Sequence, residues 1–135
     1  MPHPPPLIAL VEDDPRVRVA LGRLLGLSGY AVESFACGED FLARAPTREP
    51  DCLVLDLNLP GMGGLELQER LVAAARSLPT VVITGQDSSA GRARALAAGA
   101  SAYLCKPIDR EDLVYAIEHA IETRAATALT EEKRP

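Results

Sequence analysis

An α/β domain with an open, all-parallel sheet is the fold class that this sequence predicts, on three observations. Apolar runs alternate with amphipathic stretches five times along the chain. The runs at Leu7-Ile8-Ala9-Leu10-Val11 and over 51–57 are nearly continuous, as in strands buried on both faces. A length of 135 residues fits one domain and leaves little room for a second. Strands that alternate with helices pair in parallel through right-handed crossovers.

Each element has a local reason. Pro2 and Pro4 to Pro6 cannot donate ladder hydrogen bonds, so residues 1–6 read as an extended tail. The first strand runs from Leu7 to Val11. Asp14-Pro15 then pairs an Asp N-cap with Pro at the first helical position. Val17, Leu21, Leu24 and Leu25 keep helical spacing until Ser28-Gly29 closes the helix. A strand over 31–36 and a helix over 38–45 follow, the helix turning Phe41 and Leu42 inward. The strand over 51–57 runs into a Gly- and Pro-rich loop, and a helix over 65–75 carries Leu65, Leu67 and Leu71. The strand over 79–84 is β-branched, and the Ala-rich helix over 88–98 is stopped by Gly99. The strand over 101–105 and the helix over 111–124, with Leu113, Ile117 and Ile121 on one face, complete a domain over 7–124. Residues 125–135 form a polar tail in which fraying is expected. Of the two common doubly wound orders, the flavodoxin-like order 2-1-3-4-5 sets strands 1 and 3 side by side. Spacing does not choose it; the order is assumed, and the chemistry of the strand ends supports it.

Composition removes several function classes. The formal charge is −5 and no basic stripe occurs, which argues against a nucleic-acid surface. Only five residues are Phe or Tyr and none is Trp, so the core is expected to be aliphatic. Cys37, Cys52 and Cys105 form no CxxC pair and are expected to be buried apolar residues in a reducing compartment. The apolar runs are too short to span a bilayer and the start has no signal-peptide core, so a cytoplasmic location is expected.

In an open parallel sheet, ligands bind beyond the carboxyl ends of the strands. Here those ends carry Glu12-Asp13, Asp56, Thr84 and Lys106. With strands 1 and 3 adjacent, three carboxylates converge, and two unit charges about 5 Å apart repel by roughly 3 kcal/mol at an effective dielectric near 20. Oxygen ligands without His or Cys suit a hard cation such as Mg²⁺. Lys106 reaches across strand 4, and the Thr84 hydroxyl can donate to a phosphoryl oxygen. A carboxylate attacking phosphorus gives an aspartyl phosphate, with catalysis by positioning and charge. Taken singly, each residue has a plainer role: Asp14 is assigned to the cap, Thr84 alone is a strand former, and Lys106 alone is a surface charge. Only the set indicates a site.

Four segments resemble the response regulator receiver family, from Leu7 to about Glu122. They are Leu10-Val11-Glu12-Asp13-Asp14, Leu55-Asp56-Leu57-Asn58-Leu59-Pro60-Gly61-Met62, Val82-Ile83-Thr84-Gly85 and Ala102-Tyr103-Leu104-Cys105-Lys106-Pro107. The resemblance implies Asp56 as phospho-acceptor. It implies Asp13 and Asp56 as Mg²⁺ ligands, with Glu12 acting through a metal-bound water and Asn58 through its backbone carbonyl, its side chain free to vary. Thr84 and Lys106 correspond to the switch hydroxyl and the phosphate-binding lysine, and Tyr103 to the aromatic switch. The Lys106-Pro107 bond is cis in this family. Glu12 stands where Asp is commoner, and the glycines of Gly61-Met62-Gly63-Gly64 are expected to loosen that loop. The pattern is similar to receivers that carry a helix-turn-helix output. No such output follows in these residues, so a stand-alone regulator is expected.

The function implied is a phosphorelay switch of a two-component system rather than an enzyme. Its partners would be a histidine kinase or phosphotransfer protein and a downstream protein target. Nucleic acid and membrane are not expected as partners, and the chain would be a monomer or a phosphorylation-dependent homodimer. Output is expected through the face of helix 4, strand 5 and helix 5, where an Ala-rich helix 4 is weakly packed. An aspartate-nucleophile phosphatase is the alternative, but Asp56-Leu57-Asn58 lacks the second acid of DxDxT. A flavin domain on this fold needs a phosphate loop where Glu12-Asp13-Asp14 would repel phosphate.

Overall fold

A computed structural model describes residues 4–43, 49–76 and 78–132, with side chains as far as Ala125. The chain alternates β1 (Leu7–Val11), α1 (Pro15–Leu27), β2 (Ala31–Phe35), α2 (Gly38–Ala43), β3 (Cys52–Asp56), α3 (Gly64–Ala73), β4 (Thr80–Thr84), α4 (Ser89–Ala97), β5 (Ala102–Cys105) and α5 (Arg110–Glu132). All four strand pairings are parallel, in the order β2-β1-β3-β4-β5. Flavodoxin-like topology is therefore present, with β1 and β3 adjacent.

The helices start and stop where local chemistry dictates. Asp14 caps α1 by accepting from the Arg16 N–H at 2.9 Å, with Pro15 at the first position. Ser88 caps α4 through Gly91 N–H, and Asp109 accepts from Glu111 N–H at the start of α5. Gly29 and Gly99 leave α1 and α4 with φ of 98° and 101°, a region glycine enters without steric cost.

Two apolar layers sandwich the sheet. Ile8, Leu10, Val54, Val81 and Ile83 pack with Leu21 and Leu25 of α1 and Leu113 and Ile117 of α5. On the opposite face, Ala9, Val11, Leu53 and Leu55 pack with Phe41 of α2 and Leu67 and Leu71 of α3. A third, small cluster of Val82, Ala95, Ala100 and Tyr103, with Leu57 against it, lies beneath α4. The unbroken apolar runs of β1 and β3 follow from this two-sided burial.

Two expectations change, and one lies beyond the described residues. α5 continues through Glu132, whereas fraying was expected after Arg124; the Ala-rich stretch beyond Arg124 has high helix propensity. The end of the helix expected over 38–45 lies outside the described residues, as do residues 1–3 and 133–135. Only Cys52 is a buried cysteine: Cys37 is half-buried, and Cys105, at the carboxyl end of an edge strand, is exposed. Burial pushes the Cys52 thiol up to about 12. Among the described residues, no helix is long and apolar enough to cross a membrane.

Candidate functional site

Register builds the site. Val11 pairs with Leu55, Asp56 with Ile83 and Thr84 with Cys105, so the next residue along each strand emerges at the same sheet edge. Ladder-like bonds continue one step further, from Glu12 N–H to Phe35 O, Leu57 N–H to Ile83 O and Lys106 N–H to Thr84 O. Glu12, Asp56, Thr84 and Lys106 are thereby fixed on rigid backbone.

One carboxylate oxygen from each of Glu12, Asp13 and Asp56 lies within 4.8 Å of the others. Glu12 and Asp56 are buried, while Asp13 is exposed. The Lys106 ammonium donates to Glu12 Oε1 and Oε2 at 3.1 and 3.0 Å and to Asp56 Oδ2 at 3.2 Å. The crowding anticipated from sequence is thus partly neutralised by the chain's own lysine. Burial pushes the Glu12 carboxyl up from 4.5 to about 7; Lys106 pulls it down and the neighbouring Asp56 pushes it up. Burial alone would lower the Lys106 pKa, but its bonds to Glu12 and the charge of Asp56 outweigh this and raise it. A buried site with two carboxylates, one ammonium and a third carboxylate at its rim carries surplus negative charge. Its oxygen donors fit a hard divalent cation.

The remaining polar contacts surround Asp56 and Thr84. Asp56 Oδ1 accepts from Asn58 N–H at 3.0 Å. Thr84, fully buried, accepts from Asn58 Nδ2 at 2.7 Å and Gln86 N–H at 3.0 Å, and donates to Gln86 O at 3.2 Å. The Asn58 side chain is therefore engaged with Thr84, a contact beyond the backbone role expected of it. Tyr103 is buried, and its hydroxyl accepts from Ser88 N–H at 3.4 Å at the foot of α4. The Lys106-Pro107 peptide is cis.

The glycine loop leads into α3. A Cβ on Gly64 would lie 2.5 Å from Asp56 O and 2.8 Å from Leu57 Cα, so α3 starts against the backbone of the site. Gly61 has φ of 71°, and Met62 is buried. Gly64 thus permits the close approach of α3 to the site, whereas Gly63 has open space around it.

Three contacts go beyond what sequence reasoning assigned, although Asn58 and Gln86 were both read as flanking the site. Gln86 acts through its main chain, which residue type does not reveal. The Asn58 amide reaches Thr84 across two strands. Arg18 Nη1 donates to Glu12 O at 2.8 Å and Asp13 O at 3.3 Å. A signal for Arg18 was available: helical side chains lean toward the N-terminus, and Arg18 lies in the first turn after the acidic loop.

Comparison with known proteins agrees with this geometry. The family model of the response regulator receiver domain matches residues 8–118. Response regulator MprA of Mycobacterium avium (strain 104) is 40% identical over 107 residues, covering 79% of this chain and 47% of the relative. The homologue from Mycolicibacterium vanbaalenii is 39% identical over 110 residues, covering 82% of this chain and 48% of the relative. The chain thus spans about half the length of the curated relatives it matches. Among solved structures, the crystal structure of FixJ-N superposes with a TM-score of 0.80 at 35% identity, covering 87% of this chain and 94% of that one. Response regulator StyR gives 0.83 at 40%, covering 95% and 65%. A CheY-like receiver domain protein from Methanospirillum hungatei JF-1 gives 0.83 at 28%, covering 91% and 98%. With fold, strand-end chemistry and relatives in agreement, this chain belongs to the response regulator receiver domain family.

Proposed function

We propose that the chain is a phosphorylation-controlled switch of a two-component phosphorelay, in which Asp56 accepts a phosphoryl group from a histidine kinase or phosphotransfer protein. The observation that carries this reading is Lys106 Nζ bonded to both Glu12 and Asp56, beside a third carboxylate. A carboxylate oxygen of Asp56 attacks phosphorus, the P–N bond of the donor phosphohistidine breaks, and the imidazole leaves with the bond's electron pair. Lys106 then stands against phosphoryl oxygens, and the Thr84 hydroxyl is the donor that can turn to them. Glu12, Asp13, Asp56 and the backbone carbonyl of Asn58 are the groups that would hold Mg²⁺. Bound there, the ion supplies positive charge against carboxylates and phosphoryl oxygens.

Output passes from Thr84 to Tyr103 and on to the face of α4, β5 and α5, read by a downstream protein. Such a change biases a pre-existing equilibrium between two conformations. The phosphatase alternative finds no support in the site: Asn58 occupies the place of a second acid, and its amide is bound to Thr84.

Incubation with Mg²⁺ and acetyl phosphate, followed by intact-mass measurement, tests the reading. One labile phosphoryl adduct is expected on the wild type and none on Asp56→Asn. Equal labelling of both, or repeated turnover of a small phosphate ester, would overturn it.

A further inference from the structure

Three consecutive carbonyls at the end of β1 converge on one residue. Arg18 Nη1 donates to Glu12 O at 2.8 Å and Asp13 O at 3.3 Å, and Arg18 N–H donates to Asp14 O at 2.8 Å. Asp14 in turn caps the helix that carries Arg18, and its own N–H donates to Glu12 Oε1 at 3.3 Å. The loop between β1 and α1 is thereby closed into a small hydrogen-bonded ring around the acidic residues. Asp13 is exposed, so the direction of its carboxylate depends on how its main chain is held.

We propose that Arg18 is a positioning residue for the cation site. It clamps the carbonyls of Glu12 and Asp13 so that both side chains stay turned toward Asp56. The inference rests on the receiver reading above, because it concerns the Mg²⁺ that this reading requires. Both carbonyls are reached by the one terminal nitrogen Nη1, so the guanidinium contributes its reach and its permanent charge rather than a second arm.

Charge and position predict opposite outcomes. Arg18 is a cation beside a cation site, so through-space repulsion alone predicts that its removal tightens Mg²⁺ binding. Clamping predicts that removal weakens it. Groups that orient metal ligands typically contribute about 10- to 100-fold to affinity, and Arg18 acts one step further out, through main chain; the expected loss is about three- to tenfold.

The test uses the full chain, titrated with Mg²⁺ and followed by amide chemical shifts at residues 12–14, 56–58 and 106. Thermal unfolding without Mg²⁺ is recorded in parallel. Arg18→Met is expected to raise the Mg²⁺ Kd about three- to tenfold. Its acetyl-phosphate labelling should reach the wild-type level at saturating Mg²⁺. Arg18→Lys, which keeps the charge, should raise Kd less. A Kd for Arg18→Met equal to or below that of the wild type overturns the proposal, as does labelling that stays low at saturating Mg²⁺. If Arg18→Met does not fold, Arg18→Lys decides: an unaltered Kd overturns it. A wild type that neither binds Mg²⁺ nor takes a phosphoryl group overturns the receiver reading itself, and the inference with it.

Discussion

A threonine hydroxyl offers one proton and two lone pairs, and all three are in use at Thr84. Asn58 Nδ2 and Gln86 N–H fill the lone pairs, and Gln86 O takes the proton. To donate to a phosphoryl oxygen, Thr84 must leave these partners, so the Asn58 amide acts as a latch on the resting position. A net hydrogen bond contributes about 1 kcal/mol, which is about fivefold in an equilibrium. Asn58→Ala is therefore expected to bind Mg²⁺-beryllofluoride about fivefold more tightly. A titration showing equal or weaker affinity would remove the latch. Glu12 gives a pH prediction. Its carboxyl is raised from 4.5 to about 7, so in that window the folded chain holds a proton that the unfolded chain has lost, and stability falls as pH rises. Lys106, raised as well, stays charged throughout this window. In Mg²⁺-free buffer, Glu12→Gln should lose this part of the slope of melting temperature against pH. On the proposed reading Mg²⁺ and the proton compete for Glu12, and added Mg²⁺ should then stabilise the wild type more at pH 8 than at pH 5. A wild type and Glu12→Gln with parallel profiles would contradict this. At this scale the sequence was readable where residue type and strand position both carry chemistry, as for Asp56 and Lys106. The side-chain contacts of Asn58 and Arg18 were missed because they depend on which atoms are reached.

Among the elements, α4 is the one held least. Ala95 is its single buried residue, and Leu96 is largely exposed. Its first turn rests on Tyr103, through the bond from Ser88 N–H and the Arg92 guanidinium 5.7 Å from the ring centre. Its last turn is held differently: the buried Gln68 of α3 donates from Nε2 to Ala95 O at 3.2 Å. A helix held at one end and resting on Tyr103 at the other should pivot about the held end. Beryllofluoride is accordingly expected to alter amide exchange within residues 84–108, most at the first turn of α4 and least near Gly99. Unchanged exchange across that span would refute transmission through α4. Gln68→Leu removes the donor together with Oε1, a buried acceptor without a partner. Its stability should shift by no more than about 1 kcal/mol, while exchange at Gly99 and Ala100 rises. Equal exchange in wild type and variant would show that Gln68 is no anchor. The weak packing of α4 was legible in its alanines. The anchor was not, since a glutamine on a helix ordinarily reads as a surface residue.

For the molecule as a whole, composition and spacing were enough for the architecture. Apolar runs of β1 and β3 demanded helices on both faces, and the observed layers supply them. Strand order was different in kind. No local propensity separates 2-1-3-4-5 from the other doubly wound order; it was assumed from sequence, with the strand-end chemistry in its support, and the strand pairings establish it. The length of α5 was missed because the charged residues near the end of the chain suggested fraying, whereas the alanines among them favour helix.

The separation of the small cluster beneath α4 from the two large layers has a consequence for substitution. Side chains at Val82, Ala95, Ala100 and Tyr103 can be exchanged while the layers that hold the sheet together stay as they are. Exchanges within this cluster would thus alter how α4 is seated without asking the sheet to find a new way to fold.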